Sequence, residues 1–136
     1  MRAFRLFPPA RLPVGFRYPE GLLRLAAGAP HRRLHPWHFL DAEGELALLA
    51  RLLASEDGRA LVPFACLGQR RGEIACFDGS SPSVDPAVRM LMAPAQGAPA
   101  FAGFAAWLAA ATADAERWRR QARLGAASAC WRHRGR

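Results

Sequence analysis

The sequence predicts a single α+β domain, and three observations carry that reading. Residues 61–67 and 73–78, LVPFACL and EIACFD, are apolar runs joined by Gly68-Gln69-Arg70-Arg71-Gly72, the pattern of two strands folded into a hairpin. Upstream, residues 19–27 and 42–54 carry leucines in segments bounded by helix start and stop signals. Downstream, Phe101, Phe104, Leu108, Ala111, Ala115 and Trp118 step by three or four, the stripe of a longer amphipathic helix.

Taken in chain order, residues 1–18 are broken by Pro8, Pro9, Pro13 and Gly15 and interspersed with Phe4, Phe7, Phe16 and Tyr18. They read as an arm packed on the domain, with a short strand over Phe4–Phe7. Pro19-Glu20 starts a helix over 19–27, because proline suits the first turn and an acid suits the positive end of the dipole. Gly28 before Pro30 ends it. Residues 31–36 are a basic loop, and residues 37–40 a short strand. Asp41 is the expected N-cap of a helix over 42–54, with Glu43 and Glu45 in its first turn. Its expected buried face is Leu46, Leu49, Ala50 and Leu53, widened by Leu48 and Leu52. Pro63 has no N–H, so the first hairpin strand is expected to leave one backbone edge unpaired there. Residues 87–92 are a third strand, and residues 93–100 a loop. The last helix pairs Asp114 with Arg117 and Glu116 with Arg120, holds Trp118 in the core, and gives way at Gly125 to a basic tail. One domain over 1–136 results, with its core at about 18–122 and its tail at 125–136.

The chain has 136 residues, 51% of them hydrophobic, enough for one real core. No apolar run reaches the ~18 residues of a membrane span, and the proline-broken N-terminus does not resemble a signal peptide. Cys66, Cys76 and Cys130 are odd in number and lack metal-ligand spacing, which fits a reduced, cytoplasmic protein. Cys66 and Cys76 read as buried thiols in adjacent strands, although a hairpin leaves their pairing conceivable. The net charge is +8, all of the basic side chains are arginine, and they are unevenly spread. Residues 1–40 carry +6, 41–60 carry −3, 61–100 balance, and 101–136 carry +5. A basic surface of this kind draws nucleic acid, anionic membrane or acidic protein, or simply solubilises.

His31, His35 and His38 fall within eight residues, but Pro30 and Pro36 break the helix that would align them on a metal. The absence of lysine excludes a Walker-type phosphate loop and Schiff-base chemistry. There is no GxSxG serine. Cys66, with His35 or His38 as base, lies in the middle of an apolar strand, where a thiol is inert. Glu73, Asp78 and Asp85 sit at strand ends and turns. Catalytic residues, cofactor and metal are therefore all expected to be absent.

The order of short motifs resembles the SMI1/KNR4 (SUKH) superfamily. Tyr18-Pro19-Glu20 with Leu22-Leu23 is similar to its early helix start. Leu61-Val62-Pro63-Phe64-Ala65 is similar to its hydrophobic-Pro-Phe-Ala strand. Gly72-Glu73 and Cys76-Phe77-Asp78 resemble its Gly-Asp turn and aromatic-Asp strand, with Glu73 in place of the usual Asp. Phe101–Leu108, FAGFAAWL, is similar to its closing helix. The resemblance spans residues 18–112. It implies an antiparallel sheet flanked by helices and a non-enzymatic protein-binding role, such as that of bacterial immunity proteins that neutralise a cognate toxin. With a charge of +8, an acidic partner is expected rather than a cationic one. The alternative expectation is a basic nucleic-acid-associated protein. The anchors expected at a partner surface are Trp37, Arg70, Arg71 and Trp131, since exposed aromatics and arginines dominate interfaces.

Overall fold

A computed structural model describes residues 3–30, 33–68, 73–80, 82–91 and 100–134, with side chains described through Gly125. The elements are α1 (Glu20–Ala26), β1 (Trp37–Phe39), α2 (Glu45–Asp57), β2 (Leu61–Leu67), β3 (Ile74–Asp78), β4 (Val88–Leu91), β5 (Ala100–Phe101) and α3 (Phe104–Arg134). The five strands form one antiparallel sheet in chain order, β1-β2-β3-β4-β5. Among the described residues the fold is therefore α+β, an antiparallel sheet with three α-helices and a short 3-10 turn at Pro9–Arg11.

The hairpin expected at 61–78 is the centre of this sheet. Val62 opposes Phe77, Pro63 opposes Cys76 and Cys66 opposes Ile74, with a register shift between Pro63 and Ala65. The irregularity falls beside proline, where a ladder donor is missing. β1 pairs with Ala65–Leu67, so among the described residues the Leu61–Pro63 half of β2 has no strand neighbour on that side.

Cross-strand partners share a face. Val62, Phe77 and Val88 therefore lie on one side of the sheet, and Cys76 and Ile74 on the other. On the first side Phe64 stacks on Phe77 at 4.2 Å, and Phe104 and Trp107 of α3 pack on Phe64 at 5.9 and 4.8 Å. Cys76 and Leu91 are also fully buried, so the second side is covered as well, and α2 is packed against β2 and β4. Strands covered on both faces read as continuous apolar runs, which is what LVPFACL and IACFD are.

Several expectations need correction. Phe4–Phe7 is not a strand; it is an irregular arm held by the Phe4 N–H donating to the Ala26 carbonyl at 3.1 Å, with Phe4 stacked on Phe39. Asp41 does not cap α2, which starts three residues later than expected at a bare Gly44 cap. Asp41 instead closes the preceding turn, accepting the Glu43 N–H on its carboxylate and the Gly44 N–H on its carbonyl. The two-residue strand β5 carries no pattern long enough to be read from the sequence. α3 runs on through Gly125 to Arg134, so the backbone expected as a tail is helical. The Asp114–Arg117 pair on α3 is present.

The arm also supplies a pH handle. Phe7 N–H donates to the Tyr18 hydroxyl at 3.2 Å, and Tyr18 packs edge-on to Phe16 and Phe77. Burial pushes the Tyr18 phenol from 10.0 up to about 12. The folded state thus holds this proton more tightly than the unfolded chain does, so its contribution is complete below pH 10 and fades as pH rises toward 12. The urea midpoint is expected to fall over that interval, and less steeply in Tyr18→Phe. Equal slopes in the two proteins would assign the loss to other groups.

Candidate functional site

The acidic residues flagged by the sequence are tied into turns and helix starts. Asp78 accepts the Ser80 hydroxyl at 2.6 Å and the Ser80 N–H at 3.0 Å, and meets Arg89 at 3.4 Å. The Ser80 bonds, then Arg89, hold its carboxyl below the usual range. Asp85 accepts the Phe104 N–H at 3.2 Å, satisfying a free donor at the start of α3. Its carboxylate fills the space that a Cβ on Gly103 needs, which explains the glycine in FAGFAAWL. Asp114 accepts the Trp37 indole N–H at 3.2 Å and pairs with Arg117.

The histidines and cysteines are brought closer than the sequence indicated. His38 lies opposite Cys66 in the β1–β2 register, and His35 packs against His38 at 5.3 Å and Trp118 at 4.3 Å. His31 lies outside the described residues. Burial raises the Cys66 thiol, the opposite of what a nucleophile needs. Burial raises Cys76 far more. The two thiols are free and sit at different levels of the hairpin, Cys76 beside Pro63 and Cys66 beside Ile74. Among the described residues no group of three or more His, Cys, Asp or Glu is placed to hold a metal ion.

Of the expected anchors, Trp37 is corrected: it is only 8% exposed. Its ring packs edge-on against Trp107 at 5.4 Å while its N–H is taken by Asp114, so it joins β1 to α3 rather than meeting solvent. Arg70 and Arg71 lie outside the described residues, as does the side chain of Trp131. Trp118, expected in the core, is 41% exposed; Trp107, about three turns earlier on α3, is the core tryptophan at 1%.

The feature missed in the sequence is on α2. Its buried residues are Ala47, Ala50 and Ala54, which repeat at i, i+3 and i+7. Of the expected face Ala50 is buried and Leu53 partly so, but the other leucines point away from the sheet: Leu46, Leu48, Leu49 and Leu52 are 45–63% exposed. Their i,i+3 and i,i+4 spacings make them neighbours on the helix surface. Scattered exposed leucines need no explanation, but four adjoining ones on 13 residues form a contiguous apolar face. Glu45 and Glu56 are exposed beside it and have no ion-pair partner among the described residues, whereas Asp57 is taken by Arg59 and Glu43 by Arg5.

Fold and face together define a small α+β meander domain that carries an exposed leucine helix. Among the described residues no helix is long and apolar enough to cross a membrane. No family model, curated protein or solved structure matches the chain.

Proposed function

We propose that the chain is a non-enzymatic protein-binding domain whose partner seats on the leucine face of α2. The observation that carries this reading is the inversion of α2, alanines inward and leucines outward. Full burial of a leucine is worth roughly 1.5–3 kcal/mol, and exposing these four by about half leaves about half of that per side chain unused in the isolated domain, which a partner recovers on covering them. The acids at the rim select an apolar surface edged with basic groups. This replaces the acidic partner expected from the net charge, because the positive excess lies in residues 1–40 and 101–136 while residues 41–60 carry −3. The ordered motifs similar to SMI1/KNR4 proteins support the same class of function. An immunity-type role against a cognate toxin, in a cytoplasmic setting, is the form we take it to have.

Co-expression with the product of the adjoining gene tests this. A complex that forms with the native chain and is lost in Leu49→Glu/Leu52→Glu, with the unfolding midpoint unchanged, is the expected result. A complex indifferent to both substitutions places the interface elsewhere. Absence of any complex with a neighbouring gene product overturns the immunity form of the proposal.

A second reading is favoured by α3, whose outer half presents Arg117, Arg120 and Arg123 to solvent. A basic helix of this kind suits nucleic acid. Binding of a duplex oligonucleotide that weakens steeply with salt supports it, and no binding at low salt removes it.

A further inference from the structure

We propose that the cleft between the N-terminal arm, the end of α2 and the start of β2 is a binding site for a small phosphate monoester with an apolar body. This goes beyond the protein-binding reading and is independent of it, since none of the exposed leucines of α2 lines the cleft.

The cleft has a volume of about 310 Å³, at the lower end of the roughly 300–1,000 Å³ of small-molecule sites. Three arginines line it, Arg11 from the arm, Arg51 from α2 and Arg59 from the α2–β2 connection, and among the described residues no acidic residue does. Arg59 is held by Asp57 through contacts of 2.5 and 2.9 Å, an ion pair that keeps the Asp57 carboxyl below its usual range. Arg11 and Arg51 have no carboxylate partner among the described residues. With Arg59 balanced, two positive charges remain, and a phosphate monoester carries about −1.5 to −2 at pH 7. Planar guanidinium forks also match phosphate oxygens in pairs.

Apart from Ser55, whose hydroxyl donates to the Leu52 carbonyl at 2.7 Å, the remaining wall is apolar, including Phe7, Leu12, Leu61 and Val62, so it accommodates an organic body beside the anion. The cleft exists because β1 stops at the level of Ala65 and leaves the Leu61–Pro63 half of β2 uncovered. Its walls are seated. Phe7 is buried, and the Gly79 N–H donates to the Ala60 carbonyl at 2.7 Å. Pro13 lies so close to Gly79 that a Cβ there has no room.

The test is a ¹H–¹⁵N NMR titration of the full chain with phenyl phosphate, with inorganic phosphate and benzyl alcohol as separate arms. Saturable shifts confined to amides around Arg11, Ala54, Ser55 and Val62 are expected. Inorganic phosphate is expected to bind more weakly and benzyl alcohol not at all. Arg11→Gln and Arg51→Gln, which keep side-chain bulk at the surface, are each expected to weaken phenyl phosphate about tenfold, the loss of one charge-assisted contact. Affinity is expected to fall as pH drops through about 6, where the ester takes up its second proton. The proposal is overturned by an absence of saturable shifts at millimolar phenyl phosphate. Undiminished binding in the double variant also overturns it, as does an equal response to benzyl alcohol. Leu49→Glu/Leu52→Glu is expected to leave this titration unchanged, so failure here and failure of the protein-binding reading are separable.

Discussion

Trp107→Ala is expected to cost about 3–5 kcal/mol of stability, a large part of the roughly 5–15 kcal/mol that holds a domain of this size together. Trp107 is 1% exposed and meets four aromatic rings: Phe64 at 4.8 Å, Trp37 at 5.4 Å, Phe104 at 5.8 Å and Phe39 at 6.0 Å. Those rings come from β1, β2 and α3, so one side chain ties the edge of the sheet to its centre and to the helix above it. Its removal leaves a cavity bordered by rigid rings, which relax poorly into the space. Three of these contacts are edge-on or nearly so, a geometry that adds about 0.5–1.5 kcal/mol per pair beyond burial. Trp118→Ala, four-tenths exposed on the same helix, is the matched control and is expected to cost under about 1 kcal/mol. Urea unfolding of both variants checks the ordering. A Trp107→Ala loss no larger than that of Trp118→Ala contradicts this account of the core.

The comparison of those two tryptophans shows how far the sequence could be read. The α3 stripe was visible, but Trp107 and Trp118 both lie near one face of a straight helix. What separates them is where the sheet ends: Trp37, Phe39 and Phe64 of the strands reach Trp107, whereas His35 of the loop before β1 packs against Trp118. The hairpin was legible because two apolar runs with a glycine-bounded connection have few other solutions. Its bulge was signalled by Pro63, but the short reach of β1 was not, since a strand's length depends on its partner. Trp37 misled for a related reason. Beside two histidines and a proline it has the context of a surface loop, while its burial comes from Asp114 and Trp107, some seventy residues away in sequence. The arginine cleft was invisible for the same cause. Arg11, Arg51 and Arg59 belong to three segments, and only the fold makes them neighbours.

For α2 the ambiguity was exact in kind, and it sets up the second large effect. Two stripes run along this helix, Leu46-Leu49-Leu53 and Ala47-Ala50-Ala54, each spaced i, i+3, i+7 and offset by one residue, about 100°. Periodicity accepts both, and hydrophobicity favours leucine. The fold uses alanine, so α2 lies close over β2, with Leu53 at the margin partly buried against the core. Ala50→Leu is therefore expected to destabilise by about 1–3 kcal/mol, because Ala50 is 1% exposed and a larger side chain must push the helix off the sheet. Leu49→Ala, one position away and half exposed, is expected to change stability by no more than about 0.5 kcal/mol. On a sequence reading that buries the leucine stripe, the order of the two effects is reversed. Measured by urea unfolding, a costly Leu49→Ala beside a neutral Ala50→Leu returns the leucines to the core and removes the apolar face on which the protein-binding proposal stands. The expected order leaves that face folded, solvent-facing and free for a partner, and makes Leu49→Ala a variant in which binding is weakened without any loss of fold.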